Sequence, residues 1–321
     1  MAALSRNDGV TRADLDRRLA RLARLFDLEQ IRTAPLGARE TVEYYDQCHE
    51  AYRRYHSPEG AVHMALNPEG RFDARGFEGQ WRLFESAWGE RAQQPPAAVL
   101  ELAFGQGFNI AALAARHPQC RFAGVDLTPA HLHIARQRVQ AAGLTNVDLR
   151  LGDYHALPYP DGSFDEALCV EAMCHAADLP RALGETARVL RPGGRLTLFD
   201  GYLPRPASSL DEQEALAVDL VARGLAVRAL QSVDELIEGA GLAGLAVERM
   251  GVLDADVMPS LLRLERLTGT LVRFPWPARR ALARRPAARS RNVLAGYLLR
   301  TTVVLGLISY RQVVLRKGGA P

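Results

Sequence analysis

Lysine is almost missing from this chain. Lys317 stands alone among 40 basic residues. Such a bias reflects genome composition, so an arginine at one position says little, and only the places where arginines gather carry meaning. Cysteine is scarce as well. Cys48, Cys120, Cys169 and Cys174 have neither metal-ligand spacing nor the density of a secreted disulfide framework, which points to a reducing, cytoplasmic compartment. The opening residues, MAALSRNDGVTRADL, contain no apolar signal-peptide core. No apolar run is long enough to span a bilayer, because the best candidate, Asn292 to Tyr310, is broken by Arg300. No Asp-rich motif announces a metal. His131 and His133 are two apart on an expected helix, point to different faces and do not form a metal pair. What remains is an ordinary globular composition, 48% hydrophobic and 24% charged over 321 residues, enough for one large domain with additions.

Charge is unevenly spread. The net charge is +3, yet from Val257 onward thirteen basic residues face one acid, Glu265, which leaves −9 for residues 1–256. A basic, leucine-rich end suits a phosphate-bearing substrate, an anionic membrane surface or nucleic acid.

The chain is organised around Ala97 to Leu113. A short apolar strand, Val99 to Leu102, meets Gly105 and Gly107, and an alanine-rich helix follows. Strand, glycine turn and helix open a nucleotide-binding α/β unit. The dinucleotide fingerprint fails, because Ile110 stands where its third glycine belongs. A second strand, Arg121–Asp126, ends in an acid about 20 residues past the glycines, where a carboxylate takes ribose hydroxyls. Thr128 and Pro129 start a helix. Further strands are expected at Val147–Leu151, Glu166–Val170, around Leu196, at Leu245–Leu253 and at Ile308–Leu315. Ahead of this core, Leu15, Leu19, Leu22, Leu25 and Phe26 repeat at helical spacing, and Trp81, Phe84 and Trp88 share one helix face. Gln93 to Pro96 is a breaker. These signals divide the chain into a helical cap (1–96), a core (97–256), a basic helical insert (257–305) and a last strand with tail (306–321).

Four motifs then agree in order. Glu101, Ala103, Gly105 and Gly107 fit acid-x-small-x-Gly-x-Gly, with Ala103 where glycine is usual. Leu157 to Asp165 reads LPYPDGSFD, and Leu190 to Gly194 reads LRPGG. Glu171 to Ala176 reads EAMCHA. The set resembles the class I S-adenosylmethionine (SAM) methyltransferases. EAMCHA resembles the EATCHA segment of sterol 24-C-methyltransferases and, less closely, tocopherol methyltransferases. Tyr44-Tyr45-Asp46 resembles the Tyr-Asp pair of lipid-methylating members. The resemblance implies a Rossmann-like, seven-stranded, mostly parallel α/β sheet with a helical N-terminal cap and a C-terminal lid insert. It implies SAM held by Tyr45, Glu101, Ala103, Gly105, Gly107, Asn109, Asp126, Leu127, Asp153, Tyr154 and Glu171, with Asp153 on the adenine amino group and Asp46 supporting Tyr45. Electron-rich rings near a sulfonium make physical sense in any case.

Glu171 and His175 follow the fourth strand, where an open α/β sheet exposes its ligand crevice. The expected reaction is C-methylation of an isoprenoid-type lipid, a prenyl diphosphate or a sterol-like molecule, through a carbocation that can go on to cyclise. Glu171 would steady the cation, His175 would take the proton, and Tyr45 would stand over the cofactor. Two alternatives remain open: O-methylation of a quinone or aromatic natural product, and SAM or lipid binding without turnover, which intact Glu101, Asp126 and Asp153 disfavour. The partner is a hydrophobic small molecule with an anionic head, met by Arg279, Arg280, Arg284, Arg285 and Arg289. Mg²⁺ is expected only with a diphosphate. Peripheral membrane contact is compatible with the basic insert. Nucleic acid is not expected, because Glu171-Ala-Met-Cys174 stands where an Asn/Asp-Pro-Pro-aromatic motif would be. Oligomeric state is left open.

Overall fold

Helix α1 (Arg12–Ala23) buries Leu15, Leu19 and Leu22 in one stripe, and Leu25 continues it. It is followed by α2 (Leu28–Thr33), α3 (Ala38–Ala51), which runs into a π-helical turn at Tyr52–His56, and α4 (Gly79–Gly89). On α4 the aromatic face is real: Trp81, Phe84 and Trp88 are buried, while Glu85 takes Arg116 and His117. The computed structural model describes residues 9–89, 96–284 and 287–318. Of the expected breaker, only Pro96 lies within them.

From there strands and helices alternate: β1 (Ala98–Leu102), α5 (Phe108–Arg116), β2 (Arg121–Asp126), α6 (Pro129–Ala141), β3 (Val147–Leu151), β4 (Phe164–Val170), α7 (Leu179–Val189) and β5 (Leu190–Tyr202). Next come α8 (Glu212–Gly224), α9 (Val233–Leu242), β6 (Leu245–Val252), α10 (Asp254–Val272), α11 (Pro275–Ala283), α12 (Ala287–Val304) and β7 (Ser309–Lys317). The seven strands form one sheet in the order β3-β2-β1-β4-β5-β7-β6. All pairings are parallel except those of β7, which runs antiparallel to β5 and β6.

The central strands feed two cores by simple alternation. Ala98, Leu100 and Leu102 join Leu183, Leu236 and Leu315 on one face, and Val99 joins Leu113, Phe122 and Leu298 on the other. A sheet apolar on both faces needs helices on both. Helices α7 and α9 cover the first; α4, α5, α8, α10, α12 and α1 contribute to the second. The order reverses at β1, whose neighbours are β2 and β4, so the crevice opens at their C-terminal ends. The basic insert is three helices rather than one. Pro275 opens α11, and Pro286 lies outside the described residues. Among the described residues no helix is long and apolar enough to cross a membrane. All four cysteines are free.

Caps behave as the residue types dictate. Ser232 and Glu235 exchange side-chain and backbone bonds at the start of α9. Thr128 does not cap α6 with its side chain. Its own N–H instead goes to Asp126 Oδ1 at 2.8 Å.

The glycine turn is tight for a packing reason as well as a conformational one. Gly107 has φ +75°, and a Cβ there would sit 2.9 Å from Ala135 Cβ on α6. Gly143 has φ +65° with nothing within 4 Å. Gly143→Ala therefore reports conformational strain alone, about 1–2 kcal/mol, whereas Gly107→Ala adds the cost of separating α5 from α6, a further 1–3 kcal/mol or about that. Urea unfolding of both variants checks this; equal losses would show that the α5–α6 approach is not tight.

Candidate active site

Glu101 ends β1 and is buried. Its Oε1 accepts Asn109 Nδ2 at 3.1 Å, while Oε2 and Asn109 Oδ1 are buried without partners. Burial raises the Glu101 carboxyl to about 8. Asp126 ends β2 and ties the turn down: Oδ2 accepts Gly105 N and Oδ1 accepts Thr128 N, both at 2.8 Å. Each oxygen keeps a lone pair for a ligand. Leu127, beside it, is 38% exposed despite being apolar. Asp153 is exposed and accepts the N–H and Nδ1 of His155 at 2.9 and 2.6 Å. Tyr154 donates to Ala172 O at 3.1 Å. Ala103 sits at φ +52°, so the side chain that replaces the usual glycine is held in a left-handed conformation. Unpartnered oxygens of Glu101 and Asn109 and the spare lone pairs of Asp126 at the bottom of a glycine-lined crevice, with an apolar surface on its rim, fit a ligand that brings hydroxyl and ammonium groups and an adenine ring. SAM is such a ligand.

Beyond β4 the chain turns sharply. Glu171 has φ +49°, a strained position for a side-chain-bearing residue. It is fixed by its N–H to Phe199 O at 2.7 Å. Its Oε1 accepts Met64 N at 2.7 Å and Tyr310 OH at 2.8 Å. Gln80 Nε2 donates to Met64 O at 2.7 Å and to the hydroxyl oxygen of Tyr310 at 3.1 Å, which aims the tyrosine proton at Glu171. Burial pushes the Glu171 carboxyl up to about 8, and its hydrogen-bond partners include no cation. His175 shares its Nδ1 proton with Ala226 O at 3.1 Å, so Nε2 carries the lone pair and accepts Tyr45 OH at 3.1 Å. Burial lowers the imidazole to about 4 and keeps it neutral. The Tyr45 ring lies 5.2 Å from His131, next to Asp126, and 5.8 Å from His175. It thus stands between the crevice and the chamber described next. Asp46 does not support it; that side chain is exposed, and His175 holds the hydroxyl.

The chamber is a cavity of about 540 Å³. Glu171, His175, Asp200 and Tyr310 stand at its polar end. Val221 from α8 and Leu225 just past its end, Val257 to Leu271 from α10 and Val293 to Val303 from α12 make apolar walls. α10 contributes at Val257, Leu261, Leu264 and Leu271, a span of roughly 21 Å at the helical rise. Tyr55, Arg54, Glu50 and Arg289 also line it, with Arg289 bonded to Gln47 O and Glu50. Of the arginines expected to meet an anionic head, Arg289 lines the cavity. Arg279, Arg280 and Arg284 are exposed on or just after α11 and do not, and Arg285 lies outside the described residues. The reason is geometric: α11 turns Ala278 and Leu282 into the core and leaves these arginines on its outer face. Among the described residues no group of three or more His, Cys, Asp or Glu could hold a metal.

Sequence reasoning missed Gln80, Tyr310, Asp200 and Arg54. Asp200 carried a readable signal, an acid near the end of a buried strand. Its oxygens accept Cys174 N and Gly201 N, and burial raises it to about 6. Gln80 and Tyr310 had none, since they meet only through the tertiary fold.

Residues 99–194 match a family model described as a methyltransferase domain. The methyltransferase GfsG of Streptomyces halstedii is 32% identical over 210 residues, 64% of this chain and 73% of its own. A demethylmenaquinone methyltransferase of Deinococcus radiodurans is 39% identical over 135 residues, 42% of this chain and 54% of its own. A 24-methylenesterol C-methyltransferase 2 of Oryza sativa subsp. japonica is 29% identical over 169 residues, 52% of this chain and 46% of its own. Among solved structures, the cyclase SpnF superposes with a TM-score of 0.67 at 20% identity, over 89% of this chain and 98% of that one. Geranyl diphosphate methyltransferase bound to GPP and sinefungin gives 0.66 at 15%, over 87% and 98%. At such identities the structures speak for the fold, and the sequence relatives speak for the family. The chain belongs to the class I SAM-dependent methyltransferases.

Proposed function

We propose that this enzyme methylates a carbon of an isoprenoid-type lipid, a prenyl diphosphate or a sterol-like molecule, through a carbocation that the same chamber can carry on to cyclisation. One observation carries the reading: Glu171 is a carboxyl group at the end of an apolar cavity, supplied with hydrogen-bond donors but with no cation among their number, so that burial holds its proton until a positive charge arrives to favour the carboxylate. Burying such a group is costly, and a positive charge arriving beside it reverses the cost.

Glu101, Asn109, Asp126, Leu127, Asp153 and Tyr154 are the residues that would hold SAM, with Ala103, Gly105 and Gly107 keeping the backbone close. SAM, when bound, supplies an electrophilic methyl on a sulfonium. Glu171 offers its carboxylate to the cation that the attacking alkene becomes, and the apolar walls keep water from it. His175 Nε2 is the proton acceptor, reached directly or through the Tyr45 hydroxyl that it already holds. Arg54 and Arg289 suit an anionic head, and Mg²⁺ would be required only if that head is a diphosphate. The rice relative is named for C-methylation. A neutral His175 also favours a second reading, in which it deprotonates a phenolic hydroxyl of a quinone or aromatic acceptor.

Turnover with SAM on geranyl diphosphate, farnesyl diphosphate, a sterol, a tocopherol precursor and a quinol, read by mass spectrometry, decides between them. A methylated or cyclised hydrocarbon skeleton is expected; turnover only on a phenolic oxygen would sink the carbon reading. With an active acceptor in hand, Glu171→Gln should lower kcat by about 10²-fold or more while SAM affinity stays nearly constant.

Proton linkage gives an independent check. Folded Glu101 and Glu171 keep their protons to about pH 8, whereas an unfolded chain releases them near pH 4.3, or about that. Their neutral forms therefore favour the folded state fully at low pH, and that advantage fades as pH rises through 8. Buried His56, His63 and His175, lowered to about 4, act in the opposite sense up to about pH 6.5, so the ligand-free enzyme should melt at progressively lower temperature from about pH 6.5 to pH 8, and Glu171→Gln should flatten that slope. A slope unchanged by the substitution would show that Glu171 is already ionised.

A further inference from the structure

A second concavity, of about 580 Å³, lies on another flank of α10. The residues of α10 that face the acceptor chamber are Val257, Leu261, Leu264, Leu267, Thr268 and Leu271. Those that face the second concavity are Glu265, Arg266, Gly269, Val272 and Arg273, which the helical period places more than a quarter turn away. The opposite bank is α1, which presents Arg18, Arg21 and, just past its end, Arg24 at intervals of three. Five guanidiniums from two helices thus converge on one cleft.

Little in the cleft offsets them. Glu265 is its one acid, and it is buried at the back between Arg18 and Arg300. The acids of α1 pair elsewhere, Asp14 with Arg17 and Asp16 with Arg12. Tyr297 braces the arrangement: Arg18 lies 4.6 Å over its ring and donates to its carbonyl at 2.8 Å, and Arg21 donates to its hydroxyl at 3.2 Å. Half-buried Arg18 therefore sits behind four exposed arginines, Arg21, Arg24, Arg266 and Arg273, of which Arg21 is held by Tyr297. Gly269 leaves the middle of the α10 bank without a side chain. Arginine identity carries no weight in a chain with one lysine. Convergence in a concave site does, because like charges crowded together are relieved by an anion.

We propose that this cleft binds a phosphate-bearing anion of the diphosphate class, either as a free small molecule or as the head group of a lipid. It is a site separate from the chamber that takes the methyl acceptor, so it does not depend on the acceptor's identity. Planar guanidiniums offer paired N–H donors to phosphate oxygens.

The test compares the full-length enzyme with two double variants. Arg24→Gln with Arg273→Gln removes exposed arginines of the cleft, and Arg279→Gln with Arg280→Gln removes exposed arginines of α11 outside it. Two probes are titrated at constant ionic strength: pyrophosphate by calorimetry, and phosphatidylcholine vesicles with or without phosphatidic acid by sedimentation. SAM binding and circular dichroism, measured in parallel, confirm that each variant folds. Pyrophosphate affinity falling about tenfold or more in the cleft variant, but not in the α11 variant, supports the proposal with a free ligand. The same contrast seen only with phosphatidic acid vesicles supports it with a lipid head group. Absence of binding to both probes, or equal weakening in both variants, overturns it.

Discussion

Buried carboxylates at the C-terminal edge of the sheet are the constraint on which the rest of this molecule depends. A carboxylate sealed from water must be given donors, and here the donors are the backbone N–H groups of the segments that build the site. Asp126 takes those of Gly105 and Thr128, which sets the glycine turn against the start of α6. Asp200 takes those of Cys174 and Gly201, which sets the short turn bearing His175. Glu171 takes that of Met64, which draws the segment after the π-helical turn over the chamber. The acids thus position loops first, and their remaining lone pairs are what a ligand meets.

Much of this was legible because the signals were local. Strand-ending acids, glycines at left-handed turns and the alternation of apolar residues are read from neighbours in the chain, so all seven strands and the Glu101–Asp126 crevice could be expected. Ala103 looked like a mild departure from glycine, and its backbone does take the conformation that glycine would accept more cheaply. What could not be read is whatever depends on the meeting of distant segments. Tyr310 reaches Glu171 across 139 positions, and Gln80 reaches Tyr310 across 230. The direction in which a helix points is equally invisible, which is why the arginines of α11 looked like head-group contacts and are exposed instead.

Three strained residues frame the candidate site, Ala103 beneath the crevice, Glu171 beside the chamber and Ala226, whose carbonyl holds His175. Left-handed backbone at a residue with a side chain persists only when its surroundings fix it. At Glu171 they do so on three sides, through Phe199, Met64 and Tyr310. The carboxylate is held at the junction of cofactor crevice and acceptor chamber, with Tyr45 on the boundary between them.

The helices α10 to α12 enter the fold between β6 and β7, the two outermost members of the antiparallel edge. Both ends of that excursion are clamped by neighbouring strands, while the crevice proposed for the methyl donor is built from β1, β2 and the loops after β3 and β4. The two parts come from separate stretches of chain and meet at a few polar contacts, among them Ser260 with Ala65 and Asn292 with Tyr44. Apolar side chains along the excursion can be exchanged, widening, narrowing or reshaping the chamber, while the glycine turn keeps its own bonds from Gly105 and Thr128 to Asp126. A scaffold wired in this way can change its clientele over evolutionary time while its chemistry stays fixed.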